Sequence, residues 1–343
     1  MKRISIELVP RDEAALRESL AVVKQHAAHA DVINIPDLLR LPMRSYEGAA
    51  VAKEYFKAAM PHIRAMDIDL SAELPMKDFL RAQEIREVLV IQGDPPQDMT
   101  KKVYPTTSTD VIRKFREEMP EVKVYAGIDQ YRGSMSDELY RVKRKLQAGA
   151  AGFFTQPFFD LRYLSVYEDM LTGLDVYWGV APVMSERSQS YWERKNKVVF
   201  PQEFAPTLDW SIEFTRRVMA FAQERDESIY IMPIKANLEA YLAGIFPAMW
   251  AVRSREGARS AVGFAAEVMH GVRTSDTCAS RHTDKEESIV GEAGSVFRPG
   301  RRRSHVRDFE KGRAFPACLR DGDRCAARRE ESGAGAVHHP ARQ

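Results

Sequence analysis

Short apolar runs recur along the chain, and most are followed by a stretch in which apolar residues return at helical spacing. The runs predict eight β-strands, at Ile4–Val9, Asp31–Ile35, Ile63–Leu70, Val88–Gln92, Val122–Ala126, Ala151–Thr155, Val176–Ala181 and Ile229–Met232. The stretches between them predict crossover helices, at Glu13–Lys24, Ala49–Ala59, Val111–Met119, Asp137–Leu146, Tyr163–Thr172 and Trp210–Gln223. Such alternation is typical of a parallel sheet in an α/β protein.

Eight such units predict one closed (β/α)8 TIM barrel, because strands buried on both faces of a parallel sheet need nearly continuous apolar runs. The alternative architecture is an open, doubly wound sheet. The first strand, however, is followed by Pro10-Arg11-Asp12 and not by a GxGxxG segment, which removes the main support for a dinucleotide-binding Rossmann fold. Arg187–Phe204 predicts an extra loop or helix over one face of the barrel.

Local signals mark the ends of one helix. Ser134, followed by Asp137, predicts a capped N-terminus, and Gly149 stands just after the helix, where a left-handed residue is favoured.

The composition changes near residue 274, and the pattern predicts a barrel over residues 1–273 and a tail of low order over 274–343. The tail has an Arg-Arg-Arg run at 301–303, three Phe and neither Trp nor Tyr. Ala261–Met269 predicts one more helix before it. We hypothesise that the tail is an unselected extension, such as the product of a shifted reading frame. A basic tail that binds RNA is the alternative, although it offers few aromatic side chains for stacking.

Charge and cysteine content narrow the class of protein. Residues 1–270 carry 36 Lys+Arg and 38 Asp+Glu, and residues 271–343 carry 15 and 11. The slightly acidic main domain argues against nucleic-acid binding. All three cysteines, Cys278, Cys318 and Cys325, lie in the tail, so neither disulfides nor cysteine-bound metals are expected in the barrel. No window approaches the roughly 20 apolar residues of a membrane span, and a cytoplasmic protein is expected.

Polar residues interrupt the apolar runs where strands of the predicted barrel end, which is where barrel enzymes carry their chemistry. These residues are Glu7, Asp69, Asp94 and Gln156. A carboxylate with apolar neighbours, such as Glu7, gains proton affinity on burial and suits a general acid. An outward Glu7 paired with a surface cation is the equal alternative.

The other candidates also have ordinary structural explanations. Asp94, in Gly93-Asp94-Pro95-Pro96, is also typical of a turn, and Gln156, which suits the mixed donor and acceptor edge of a heterocycle, is also typical of a helix cap. Lys145 either meets a cofactor phosphate or complements the dipole of its helix.

Five segments in order resemble the methylenetetrahydrofolate reductase family over roughly residues 2–246. They are Ser5-Ile6-Glu7-Leu8-Val9-Pro10, Val90-Ile91-Gln92-Gly93-Asp94-Pro95-Pro96, Leu139–Gly149, Thr155-Gln156-Pro157-Phe158-Phe159-Asp160 and Gly179-Val180-Ala181-Pro182-Val183. The resemblance implies a barrel that reduces 5,10-methylenetetrahydrofolate to 5-methyltetrahydrofolate with NAD(P)H through bound FAD. This reaction would place the protein in one-carbon metabolism and methionine biosynthesis.

The resemblance also implies roles for individual residues. Glu7 matches the glutamate that assists protonation of the folate, and Asp94 matches an aspartate near both the flavin and the pterin. Gln156 matches the glutamine that binds the folate ring. Trp192 falls where an aromatic side chain stacks on the substrate or the nicotinamide. A tetrahydrofolate substrate is therefore expected, and whether the chain forms a homo-oligomer is left open.

The flavin contacts are less complete than the folate contacts. Glu138 and Lys145 match positions that contact FAD, although the family usually has aspartate at the first. Four segments depart from the family where flavin contacts are expected, namely Asn34-Ile35-Pro36-Asp37-Leu38-Leu39, Asp67–Glu73 in place of a His-Leu-Thr-Cys segment, Gln92 in place of arginine, and Ala126–Tyr131. The resemblance thus supports folate better than flavin.

Three other functions compete with this one. A flavin-independent reductase would keep the substrate and take hydride directly from NAD(P)H. A metal-dependent barrel lyase or aldolase would use Asp69, Glu73 and Asp94 as oxygen ligands for Mg²⁺. A folate-binding barrel without catalytic activity is the third.

Overall fold

The computed structural model describes residues 1–96 and 102–246. Its eight parallel strands close into a barrel in which each strand pairs with the next and β8 pairs with β1. The strands are β1 (Ile4–Glu7), β2 (Val32–Ile35), β3 (Ala59–Arg64), β4 (Glu87–Ile91), β5 (Lys123–Ile128), β6 (Gly152–Pro157), β7 (Val176–Val180) and β8 (Ser228–Ile231). The predicted (β/α)8 TIM barrel is confirmed.

The described residues also form nine α-helices, which lie between or after the strands. They are α1 (Glu13–His26), α2 (Ser45–Lys53), α3 (Lys77–Ala82), α4 (Ser108–Glu118), α5 (Met135–Ala148), α6 (Leu161–Met170), α7 (Glu186–Asn196), α8 (Leu208–Glu224) and α9 (Leu238–Ile245). The predicted caps of α5 are present, since Ser134 Oγ accepts a hydrogen bond from the Asp137 amide and Gly149 has φ 111°. The extra element predicted within Arg187–Phe204 is α7.

Alternate residues of each strand face opposite sides of the barrel wall. Outward residues such as Ile6 and Ile33 join the core that the helices cover. Inward residues fill the barrel itself, where Phe154 stacks on Tyr177 with 4.1 Å between ring centroids, and Tyr125 meets both rings edge-on. Because these rings pack against one another, the interior is filled below the level of the strand ends.

The third strand is the main correction to the predicted elements. It covers Ala59–Arg64 and not Ile63–Leu70, so Asp69 lies in the loop beyond it, and the helix predicted over Ala49–Ala59 ends at Lys53. A proline within an apolar run argues against a central strand, and Pro61 therefore keeps the sequence pattern from indicating this strand. The inward positions of β3 also include the polar side chains of His62 and Arg64, which break the apolar run.

Some predictions fall outside the described residues. The helix at Ala261–Met269 and the tail over 274–343 are among them, and both stay predictions. Within the part of the chain that the structure describes, none of the helices combines the length and the apolar character that crossing a bilayer requires.

Candidate functional site

The carboxylate of Glu7 lies at the C-terminal end of β1 with its side chain 12% exposed. Its inward direction follows from the alternation of β1, in which Ile4 and Ile6 belong to the outer core. The hydroxyl of Tyr230, on the neighbouring strand β8, donates a hydrogen bond to Glu7 Oε2. The outward alternative for Glu7 is thereby excluded.

Burial raises the pKa of Glu7 from its ordinary value of 4.5 to about 7, and the hydrogen bond from Tyr230 lowers it only partly. Desolvation dominates because a buried carboxylate loses the water that stabilises its charge. A carboxyl group with this pKa is protonated in a large fraction of molecules at neutral pH. Glu7 therefore has the proton affinity of a general acid.

A chain of polar side chains continues from Glu7 along the inner wall. His62 Nε2 lies 3.9 Å from Glu7 Oε2 and 3.2 Å from Asn34 Oδ1, and the Asn34 amide nitrogen donates to Ser5 Oγ. Burial lowers the pKa of His62 to about 3, so its imidazole is neutral and Nε2 donates to Asn34. Because His62 is uncharged, it offers Glu7 no cation to stabilise the carboxylate.

Asp94 lies beyond the end of β4 with an exposed side chain, and its loop is held through its backbone. Arg64 Nη2 donates to the Asp94 carbonyl oxygen at 2.6 Å. Gly93, with φ 84°, allows this approach, because a Cβ there would stand 3.0 Å from Arg64 Cζ. The carboxylate of Asp94 thus remains at the rim.

An internal ion-pair network fills the rim between β2 and β4. Arg44 Nη2 lies 2.8 Å from Asp37 Oδ2 and 3.2 Å from Asp67 Oδ2, and Arg64 Nε lies 3.1 Å from the same Asp67 oxygen. Arg64 is only 6% exposed. Burial raises the pKa of Asp37, and the two arginines oppose this shift. This arginine–aspartate network occupies the sector where the resemblance expects flavin-binding loops.

Gln156 lies at the end of β6 and is exposed. Gln130 holds its backbone, donating from Nε2 to the Gln156 carbonyl at 2.7 Å and accepting from the Gln156 amide at 3.1 Å. The Gln156 side chain makes no hydrogen bond within the described residues. Its donor and acceptor groups are therefore available at the rim.

Trp192, on α7, is 7% exposed and packs edge-on against Phe159, with 5.7 Å between ring centroids. The indole belongs to an aromatic cluster that covers the barrel beside β6. A stacking role for Trp192 stays a prediction.

Two of the three residues assigned to FAD, Glu138 and Lys145, lie on α5 and make hydrogen bonds or ion pairs within the protein itself. Glu138 is 2% exposed, accepts from the Asp129 amide at 3.2 Å and pairs with Arg141 at 2.9 Å. Lys145 Nζ donates to the Gly127 carbonyl at 2.6 Å, and burial lowers its pKa. Both side chains are thus engaged within the protein, as are the arginines of the arginine–aspartate network, and this does not favour a role for them in holding FAD.

The ligands of the metal-dependent alternative are not assembled. Asp69 accepts two hydrogen bonds from Ser71, and Glu73 pairs with Lys77 at 3.3 Å. Across residues 1–96 and 102–246, no three His, Cys, Asp or Glu side chains are grouped to hold a metal ion. Asp69, Glu73 and Asp94 therefore form no common site.

Glu7 is the last residue of β1, Gln156 is the penultimate residue of β6 and Asp94 follows β4, so all three lie at the same end of the barrel. Sequence reasoning missed four polar residues there, namely Asn34, His62, Arg64 and Tyr230. Each stands on the inward alternation of its strand. This signal was available for Asn34 and Tyr230, whose strands were predicted, and lost for the other two with the misplaced β3.

Comparisons with known proteins show the family and the fold. A family model described as methylenetetrahydrofolate reductase matches residues 40–217. An uncharacterised protein from Clostridium thermocellum, described as binding two copies of 5-methyl-5,6,7,8-tetrahydrofolic acid, aligns with a TM-score of 0.51 and 12% identity, covering 73% of this chain and 96% of its own. A 2,3-dimethylmalate lyase aligns with a TM-score of 0.44 and 12% identity, covering 80% and 85%. At 12% identity the likeness to the Clostridium thermocellum protein shows the fold alone.

Proposed function

This chain belongs to the methylenetetrahydrofolate reductase family, and from that membership we propose that it reduces 5,10-methylenetetrahydrofolate to 5-methyltetrahydrofolate at the C-terminal mouth of the barrel. The observation that carries the proposal is a buried carboxyl group, Glu7, whose pKa is raised to about 7 at that mouth. The folate ligand of the Clostridium thermocellum neighbour supports the substrate class.

Glu7 supplies the proton in this mechanism. When it protonates N10 of the folate, the bond between N10 and the bridging methylene carbon breaks, and an iminium forms between that carbon and N5. A hydride then adds to the methylene carbon and completes the methyl group. Tyr230 holds the carboxyl of Glu7 in place, and the neutral His62 leaves its proton affinity high.

We propose that the hydride comes directly from NAD(P)H. Glu138, Lys145 and Arg64 are committed to contacts within the protein, so no step is assigned to a flavin. The balance is complete without one, since NAD(P)H supplies two electrons with the hydride and Glu7 supplies the proton. FAD is not part of this proposal, and a spectrum of the purified protein tests whether it is bound.

The purified full chain is expected to be colourless above 350 nm and to oxidise NADH or NADPH only when methylenetetrahydrofolate is added under anaerobic conditions. The product is expected to be 5-methyltetrahydrofolate, identified by mass spectrometry. A flavin spectrum that NAD(P)H bleaches would overturn direct transfer and leave the reaction intact. Tight folate binding without NAD(P)H oxidation would show that the protein is a folate-binding barrel and not a reductase.

Gln156→Leu is expected to raise the Michaelis constant for the folate about tenfold with a smaller change in kcat, because polar ring atoms lose their partner on binding. The exposed side chain makes no hydrogen bond within the described part of the chain, so the fold should be unaffected. Steady-state kinetics measure the change, with Gln147→Leu on the outer helix α5 as control. An unaltered Michaelis constant would show that Gln156 does not contact the pterin.

A further inference from the structure

A neutral imidazole lies beside the proposed acid. His62 Nε2 is 3.9 Å from Glu7 Oε2, and an imidazole ordinarily binds a proton more tightly than a carboxylate does. Burial disfavours an imidazolium and a carboxylate, but the mutual attraction of the pair offsets part of that cost. If His62 took the proton of Glu7, the acid would have none to donate. A general acid at this position therefore requires that His62 not accept the proton.

The side chain of Asn34 joins His62 to Ser5, and the two ends of its amide have different roles. Asn34 Nδ2 donates a hydrogen bond to Ser5 Oγ, which leaves Oδ1, 3.2 Å from His62 Nε2, as the acceptor. Because an amide oxygen can only accept, His62 carries its hydrogen on Nε2. The free lone pair of the neutral ring is then on Nδ1. The ring nitrogen nearest to Glu7 thus has no lone pair with which to take the proton.

The side chains beside Glu7 and His62 on the neighbouring strands are neutral. Tyr230, on β8, donates to Glu7, and burial raises the pKa of its hydroxyl well above the ordinary value. On β4, the residue that pairs with His62 is the apolar Leu89. Arg64, two residues further along β3, belongs to the arginine–aspartate network. Within the part of the chain that the structure describes, no Lys or Arg lies within 4.0 Å of the Glu7 carboxylate, and no other carboxylate lies within 4.0 Å of His62. The protonation of His62 is therefore set by burial and by its amide partner.

We propose that Asn34 is a positioning residue that holds the hydrogen of His62 on Nε2 and so keeps the proton of the acid on Glu7, an inference that rests on the proposed function. Ser5 supports this role, because its hydroxyl fixes which end of the amide faces the imidazole ring. All three side chains are buried, with Ser5 and Asn34 fully enclosed and His62 5% exposed, so water does not replace these hydrogen bonds. Asn34 acts through His62, and it affects the reaction by setting the fraction of Glu7 that is protonated.

Asn34→Leu removes the acceptor and keeps roughly the volume of the side chain. His62 Nε2 is then free either to donate to the Glu7 carboxylate or to take its proton, and both stabilise ionised Glu7. In the ligand-free full chain, the ¹³C signal of the Glu7 carboxyl, assigned by its loss in Glu7→Gln, is expected to titrate at least about one pH unit below wild type. The decline of kcat/KM for methylenetetrahydrofolate at high pH should move by the same amount, which lowers kcat/KM about tenfold at pH 8.

The double variant Asn34→Leu, His62→Leu separates proton placement from a general loosening of the site. Leucine can neither take a proton nor donate a hydrogen bond, so the titration of Glu7 is expected to return at least to its wild-type position. A structural defect caused by Asn34→Leu would not be reversed by a second truncation. The matched control is Asn196→Leu at the end of α7, which should leave the titration of Glu7 unchanged.

The wild-type chain tests the inference without any substitution at Asn34. Its ¹⁵N spectrum, with the His62 signals assigned by their loss in His62→Leu, is expected to show the hydrogen on Nε2 and a neutral ring down to pH 5. A hydrogen on Nδ1, an imidazolium at pH 7, or an unchanged titration of Glu7 in Asn34→Leu would overturn the inference. Because the NMR titrations need no folate, a wild type that shows them but reduces no methylenetetrahydrofolate would overturn the proposed function alone.

Discussion

Glu7→Gln is expected to lower kcat for methylenetetrahydrofolate reduction by about 10² to 10⁴-fold while changing the Kd of the folate little. Glutamine keeps the shape of the side chain and an oxygen that accepts from Tyr230, but it has no acidic proton. Stopped-flow oxidation of NAD(P)H measures the turnover, and titration with 5-methyltetrahydrofolate measures the binding.

Glu227→Gln provides the matched control. Glu227 also has a pKa raised by burial, and it accepts a hydrogen bond from the Trp178 indole. It precedes β8, however, and so lies at the N-terminal end of the barrel, away from Glu7. Its substitution should leave kcat nearly unchanged. Turnover of Glu7→Gln equal to that of the wild type would disprove the assignment of Glu7 as the acid.

The dependence of activity on pH also tests the assignment of Glu7 as the acid. A proton donor works in its protonated form, so kcat/KM of the wild type is expected to fall as the pH rises through about 7, the pKa of Glu7 in the ligand-free protein. In Glu7→Gln this decline should disappear from the remaining activity. A profile that falls identically in both proteins would assign the titration to another group.

Glu7→Gln is also expected to stabilise the folded chain at alkaline pH. The folded state holds the Glu7 proton more tightly than the unfolded state, since the pKa is about 7 against 4.5. Folded wild type therefore loses stability as the pH rises from about 4.5 to 7, and the loss amounts to about 3 kcal/mol above pH 7. Glutamine has no charge to bury and avoids that cost.

Urea unfolding at pH 5 and pH 8 measures this effect. The free energy of unfolding of Glu7→Gln should exceed that of wild type by about 3 kcal/mol at pH 8 and by much less at pH 5. A gain of the same size at both pH values would show that packing, and not the proton of Glu7, causes it. Loss of activity together with gained stability is the pattern expected of a residue kept for function.

The apolar runs were sufficient to predict the barrel because seven of its strands contain short runs of buried hydrophobic residues. The third strand was placed wrongly because Pro61, His62 and Arg64 interrupt its apolar run. Its register follows only from its pairing with β2 and β4. The true end of β3 reads His62-Ile63-Arg64-Ala65. The segment Asp67–Glu73, which the sequence placed at the end of this strand, lies beyond it.

The site was predictable only in part. A polar residue at the end of an apolar run is a local signal, and it located Glu7, Asp94 and Gln156 along the chain. The raised proton affinity of Glu7 comes from burial in the folded barrel, and its hydrogen-bond partner Tyr230 is 223 residues away, so no local pattern indicates either. Likewise, Arg44 pairs with Asp37 and Asp67 only because separate loops meet at the rim. The sequence could therefore show that expected flavin contacts are missing, but not that ion pairs stand in their place.

The stacked rings of Phe154 and Tyr177 fill the barrel below the strand ends, so its C-terminal mouth is the way in to Glu7. In the proposed direct transfer of hydride, the folate and NAD(P)H would share this mouth and bind at the same time. We therefore expect the steady-state kinetics of a ternary complex and not those of a ping-pong exchange.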